Sequence, residues 1–347
     1  MGSNRRETRF FIATAPLRRI APLVLFLLTF GASLQAGSLD STVIGMFPKD
    51  ASDLGYANLE EARRLPWYPQ FAAQVVPVAF FGFDQFLQAV QIRQTSSINE
   101  VAWASVSART SNSETQAGRG SNSGEPVAIA LGDFDIDTIE SYLDSRKVPF
   151  IEAGNYSLYS AGLGAGSNGV FFVLLDRQTV VFGPLGPLKR VLRIRDGLED
   201  NLLQNESMMR LIESANHNYV FWGVLNLSGG ERVIDRLVPE AANFPQSRDL
   251  ISKLKEVMIT LKATDDVELD FQAASASPED AVLISRLLQV GVMMRRYEAK
   301  NEDNPDLATV LDGLRILPNG NGLDISLRLT ADEVVSLIEH NTFSTKM

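Results

Sequence analysis

The chain has 347 residues, 45% of them hydrophobic and 21% charged, the composition of a folded protein rather than a disordered or collagen-like one. Its length suits two medium cores, and with no cysteine it has neither disulfides, nor a Cys-containing metal cage, nor a cysteine to carry a lipid. The formal charge of −10 becomes −14 once the net +4 of residues 1–36 is taken off, and so acidic a surface argues against nucleic acid and against electrostatic adsorption to anionic lipid.

Arg5, Arg6, Arg9, Arg18 and Arg19 precede an apolar run at 21–32, and small or polar residues follow through Ser38. A dozen apolar residues match the hydrophobic part of a secretory signal and fall short of the roughly 20 that a spanning helix needs. Residues 1–36 are therefore read as a signal peptide, with cleavage leaving a mature start between Gly37 and Leu39 and no transmembrane helix in the mature chain. An uncleaved anchor is the alternative. Export without disulfides fits a bacterial periplasm or an extracellular, envelope-associated protein.

Residues 37–216 read as a first α+β unit. A short extended piece leads to a strand at 54–59 and a turn, and Pro66-Trp67-Tyr68-Pro69 brackets two aromatics between prolines that favour extended backbone. Phe80, Phe81, Phe83 and Phe86 give the next helix a heavy apolar face. Strands follow at 100–107 and 126–131, joined by a Ser-, Asn- and Gly-rich loop at 107–125. A helix begins near Asp135, a strand meander covers 156–160, 170–175 and 179–182, and helices follow at 185–194 and 208–214.

Residues 217–340 read as a second unit, with a strand at 218–227 and a helix behind Gly229-Gly230. A helix at 248–254 leads to a strand at 257–263. The next strand, VELDFQAASA, alternates strictly, so one of its faces is apolar and the other wet. A long helix then starts at Ser277-Pro278-Glu279-Asp280, which combines an N-cap, a proline at the first helical position and acids against the helix dipole. A hairpin at 314–317 and 323–329 and a helix capped by Thr330 complete the unit, and 341–347 read as a frayed tail.

The two units share an order of elements, Val127 corresponding to Val267 and the helix after Asp135 to the helix after Ser277. The pattern predicts a duplication: two tandem, mainly antiparallel α+β units with helices on one face, in the ferredoxin-like order.

Chemistry-bearing residues are sparse. There are two histidines, His217 and His340, and no G-x-S-x-G motif to present a serine. Gly162, Gly164, Gly166 and Gly169 join strand to strand, whereas a phosphate loop opens a helix. Asp133, Asp135 and Asp137 mimic a calcium loop, but Thr138 occupies the position that needs glycine, and helix capping accounts for the acids better. No catalytic, cofactor-binding or metal residue is assigned and no cofactor is implied. The candidate partner surface is the aromatic set Trp67, Tyr68, Phe71, Phe80, Phe81 and Phe83, should it be exposed.

The run DLGYANLEEARRLPWYPQF at 53–71, LGDFD at 131–135 and FFVLLD at 171–176 resemble an uncharacterised family of exported bacterial proteins. The resemblance implies export and tandem α+β units, and brings no catalytic residue with it. The expected function is that of an exported, non-enzymatic envelope or periplasmic protein that binds an envelope partner or ligand or supports an assembly. The alternative is a hydrolase using carboxylates such as Asp133, Asp135 or Asp176, which requires two acids converging at roughly 5 to 10 Å.

Overall fold

A computed structural model of the chain describes residues 38–70, 97–106, 125–161, 169–226, 253–264, 266–301 and 305–340. The strands are β1 (Asp53–Asn58), β2 (Ser97–Val106), β3 (Glu125–Asp133), β4 (Phe150–Ala153), β5 (Tyr156–Ser160), β6 (Val170–Asp176), β7 (Thr179–Pro184), β8 (Phe221–Asn226), β9 (Leu254–Ala263), β10 (Asp266–Ser275), β11 (Arg315–Asn319) and β12 (Gly322–Thr330). Among the described residues they form one sheet in the order β11-β12-β10-β9-β8-β1-β2-β3-β7-β6-β5-β4. Every neighbouring pair is antiparallel.

The helices are α1 (Ser41–Ile44), α2 (Leu59–Ala62), α3 (Ile136–Arg146), α4 (Leu185–Arg195), α5 (Glu206–Ala215), α6 (Pro278–Asn301), α7 (Pro305–Gly313) and α8 (Ala331–Glu339), with a 3₁₀ turn at Leu202–Gln204. Their starts follow local chemistry. Asp135 caps α3 by accepting from the Thr138 N–H, and Thr330 and Glu333 make a reciprocal capping box at α8. At α6 the Ser277 hydroxyl accepts from the Asp280 N–H, while the Asp280 carboxylate accepts from the Lys253 ammonium at 2.6 Å.

The sheet's centre is the β1–β8 pair, where Gly55 faces Gly223 and Tyr56 faces Trp222. Reading outward, one flank runs β1-β2-β3-β7-β6 and the other β8-β9-β10-β12-β11, so both flanks have three consecutive strands followed by a reversed hairpin. Strands β4 and β5 extend the first flank. Directly opposed residues in a sheet point to the same side, so the registers divide the sheet into a front face bearing Gly55, Val101, Ala130, Ile259 and Phe271, and a back face bearing Tyr56, Ala102, Ile129, Trp222 and Met258.

On the first flank both faces are buried. The back face packs Val127, Ile129, Val173 and Val181 against Leu188, Val191 and Leu192 of α4 and Met208 and Ile212 of α5. The front face packs Ala130, Phe172, Val180 and Phe182 against Ile139 and Leu143 of α3. On the second flank the front face packs Phe271, Ala273 and Leu323 under Ile284 and Leu288 of α6, and Val267 and Leu329 under α7 and α8. Its back face is polar: Glu268, Asp270, Gln272, Asp324, Ser326 and Arg328 share it, and Arg328 bridges Asp266 and Glu268.

The fold is mixed α+β and antiparallel, as the pattern of elements implies, but three expectations need correction. A split βαβ unit places its last strand beside its first, whereas β1, β2 and β3 are consecutive neighbours here. Helices cover both faces of the first flank, because β6 and β7 (VFFVLLD and TVVFGP) are apolar on both sides and exposing either side would leave it wet. Residue 254 begins β9 rather than ending a helix, and the rest of that predicted helix lies outside the described residues. The strand β4, FIEA, is four residues long with Phe150 and Ile151 exposed, too short to alternate visibly, and it escaped the pattern.

The chain after residue 37 is tied firmly to this frame. Leu39, Val43, Ile44 and Phe47 enter the back-face core, and the Asn216 side chain both accepts from the Leu39 N–H and donates to the Leu39 carbonyl. The predicted signal peptide and the 107–124 loop lie outside the described residues.

Candidate functional site

Of the sequence-predicted aromatic surface, Trp67 and Tyr68 lie among the described residues, and neither is exposed. Trp67 is only 5% exposed and packs with Val267, Ala299, Leu307 and Leu329, and Tyr68 is half-buried beside the α3 core. Trp67 is therefore a core residue. Phe71, Phe80, Phe81 and Phe83 lie outside the described residues.

Of the predicted carboxylates, Asp135 and Asp176 are engaged in local structure, while Asp133 is exposed at the end of β3. Asp135 accepts from both the N–H and the hydroxyl of Thr138, and these hydrogen bonds hold its carboxyl below the usual range. Asp137 pairs with Arg177 at 3.4 Å, and Asp176 accepts from the Gln178 N–H and lies 3.9 Å from Arg195. His340 sits at the C-terminal end of α8 with Nδ1 2.9 Å from the Ser336 carbonyl, and His217 is exposed beside β8. Among the described residues no group of three or more His, Cys, Asp or Glu side chains could hold a metal ion.

A recess of about 750 Å³ opens between the N-terminal segment and the start of α5, lined by Lys49, Asp50, Arg190, Glu199, Asp200 and Asn205 among others. Arg190 is its floor. Its guanidinium donates to Asp50 at 2.8 Å and, through Nε, to Glu199 at 2.7 Å, so both acids are bound to the same cation. The arrangement fastens residue 50 to α4 across 140 positions of sequence and sets the Asp50 and Glu199 carboxylates against one guanidinium that neutralises them.

Near the sheet centre, the Tyr56 hydroxyl and the Trp222 indole N–H are buried with no hydrogen-bond partner among the described residues, and the rings stack with centroids 5.6 Å apart. Burial, reinforced by the nearby Glu100 carboxylate, raises the Tyr56 pKa well above the ordinary phenol. Burial is also the chief reason that the Glu100 carboxyl is held above the usual range; the nearby Tyr56 hydroxyl opposes this and Glu60 adds to it.

The surface that stands out is the outer side of α6. Half of the large apolar side chains exposed among the described residues are on this helix: Leu283, Val290, Met293, Met294 and Tyr297, with Met293 60% and Tyr297 71% exposed. With half-buried Leu287, positions 283, 287, 290, 294 and 297 recur in steps of four and three and form one stripe along the helix. Ala281, Ile284, Ser285, Leu288 and Ala299 face the sheet instead. The helix thus has two apolar faces, one spent on the core and one facing outward. The sequence holds this signal, since Leu283, Leu287, Val290, Met294 and Tyr297 are apolar in addition to Ala281, Ile284 and Leu288, which reach the core.

Comparison of the chain with family models, with curated proteins and with solved structures gives no match in any of the three.

Proposed function

We propose that the protein is exported and acts outside the cytoplasm by binding, as a non-enzymatic component of an envelope or periplasmic assembly, with the outer face of α6 as its contact surface. The observation that carries this reading is the stripe from Leu283 to Tyr297: large exposed apolar side chains gathered on one line mark a contact site, whereas scattered ones do not. The carboxylate-hydrolase alternative has less behind it, because Asp135, Asp137 and Asp176 serve caps, turns and ion pairs, and Asp50 and Glu199 share Arg190. Among the described residues no helix is long and apolar enough to cross a membrane.

The proposal extends to the chain's origin, as a tandem duplication joined edge to edge. Two short sequences support it, Gly55-x-x-Asn58 in β1 and Gly223-x-x-Asn226 in β8, each followed by a leucine in the sequence and paired glycine to glycine. The Asn58 N–H donates to the Val220 carbonyl and the Asn226 N–H to the Ser52 carbonyl, both at 2.8 Å, so the two copies exchange equivalent hydrogen bonds about an approximate dyad.

Two measurements test the function. Purified mature protein screened against glycan, ester, peptide and phosphate substrates is expected to show no turnover, and turnover abolished by Asp133→Ala/Asp135→Ala would overturn the binding reading. Binding of the mature protein to its own envelope fraction is expected to be lost in Val290→Glu/Met294→Glu, and retention unchanged in that variant would move the contact surface elsewhere. Export is tested by intact mass. The released chain is expected to begin at Gly37 or Ser38, since cleavage after Ser38 would put a charged amine at Leu39, which is 2% exposed and hydrogen-bonded to Asn216.

A further inference from the structure

We infer that the partner of the α6 stripe is a second copy of this chain, docked antiparallel through the same helix across a dyad near Val290. The inference rests on the proposed binding role of that surface and names its occupant. The first argument is the spacing: steps of four and three over 283, 287, 290, 294 and 297 are those of a two-stranded coiled-coil seam, about 21 Å long on a helix of about 36 Å.

The second argument is self-complementarity, which a twofold contact demands of a single surface. Val290 lies midway along the stripe, with Leu283 and Tyr297 seven residues to either side and Leu287 and Met293 three to either side. Antiparallel pairing about Val290 sets the Leu283 end of one helix against the Tyr297 end of the other. Tyr297 then meets Leu283 at each end of the seam, and the smaller Val290 meets its own copy at the centre.

The third argument is charge. The exposed first turn of α6 carries Glu279 and the exposed last turn carries Lys300, and neither has an ion-pair partner among the described residues. An antiparallel pair brings Glu279 of each copy toward Lys300 of the other and opposes the two helix dipoles, whereas a parallel pair sets acid beside acid and base beside base. A lipid surface fits less well, because the mature chain's charge of −14 opposes anionic lipid.

The chain has no cysteine, so a single introduced thiol reports the dyad without interference. In sedimentation velocity at about 1 to 100 μM, the full mature chain is expected to dimerise, and Val290→Glu/Met294→Glu to weaken the dimer at least tenfold while melting with the wild type, since both side chains are exposed. Val290→Cys is expected to give a disulfide-linked dimer under mild oxidation, and Leu203→Cys, on the other side of the molecule's sequence and equally exposed, is expected not to. Glu279→Lys and Lys300→Glu should each weaken the dimer, and the double exchange should restore it. A wild-type chain that stays monomeric at 100 μM, or a dimer indifferent to the Val290→Glu/Met294→Glu change, overturns the inference. If the chain is monomeric but its envelope retention still depends on the stripe, the binding function stands and the second copy as partner falls; binding to phosphatidylglycerol vesicles through the stripe would identify lipid as the occupant instead.

Discussion

The two flanks of the sheet are built in the same strand order, yet they are covered differently. β3 on the first flank and β10 on the second occupy the same place, third outward from the centre. Ile129 in β3 faces Ala102 and Val181 and is fully buried under α4 and α5; Gln272 in β10 faces Met258 and Asp324 and is exposed. One order of strands therefore tolerates both a two-sided and a one-sided apolar strand, and what differs is where the helices go. On the first flank α4 follows β7 onto the back face, while on the second flank α8 follows β12 onto the front. Strand order and helix placement are separate decisions, and the side-chain pattern of each strand records the second.

The sharpest way to break this comparison is to substitute at the equivalent positions. Ile129→Ala is expected to cost about 3 kcal/mol, from lost burial and the cavity left behind. Gln272→Ala should stay within about 0.5 kcal/mol, because nothing packs on it. Urea unfolding midpoints measure both, and equal losses would mean that the second flank's back face is covered after all.

The central glycines give a smaller contrast. A Cβ at Gly55 would overlap the Trp103 indole, whereas one at Gly223 makes ordinary contacts with Phe221 Cζ at 3.6 Å and the Leu54 carbonyl oxygen at 3.9 Å. Gly55→Ala is expected to cost about 1–3 kcal/mol and Gly223→Ala well under half of that. A restored midpoint in Gly55→Ala/Trp103→Val would confirm that the indole is the obstacle.

Tyr56 offers a change of opposite sign. Its buried hydroxyl has no hydrogen-bond partner among the described residues, and the position after Gly223 is Val224, which carries no hydroxyl. Tyr56→Phe is expected to stabilise the protein by about 1 kcal/mol, read as a rise in Tm. A fall of similar size would show that the hydroxyl is satisfied by Glu100.

The smallest effects are in pH dependence, and the flanks should respond in opposite directions. Glu100 has a raised pKa in the folded state, so its contribution is fully present below the unfolded value of about 4.3 and is lost as pH rises through the folded value. Glu100→Gln should therefore melt above the wild type at pH 7, with the difference closing toward pH 4. Asp280 at the start of α6 has a lowered pKa, chiefly through the hydrogen bond from Lys253 and then that from Ser277. Its contribution is present above the unfolded value of about 3.9 and is lost as pH falls through the folded one. Asp280→Asn should melt below the wild type at pH 7 and converge with it in acid. Thermal melts from pH 3 to 8 decide both cases.

The local elements of this protein were legible because their causes are local. Ser277, Thr330 and Asp135 begin helices with hydrogen bonds that span three residues, and VELDFQAASA announces a strand with one wet face because side chains alternate every residue. The apolar runs of β6 and β7 equally contain the news that both faces are covered. What the sequence does not contain is the identity of each strand's neighbour. The β1–β8 pair at the centre of the sheet joins residues about 170 positions apart, and both strands would be equally satisfied by any antiparallel edge of the right length. The burial of Trp67 under Leu307 and Leu329 and the outward turn of Leu283, Val290 and Tyr297 were settled in the same way, by which apolar faces meet once the helices are laid on the sheet. Hydrophobic periodicity fixes that a face is apolar; only packing at a distance decides whether it ends inside the core or on the surface, because the transfer free energy that drives burial has no direction of its own.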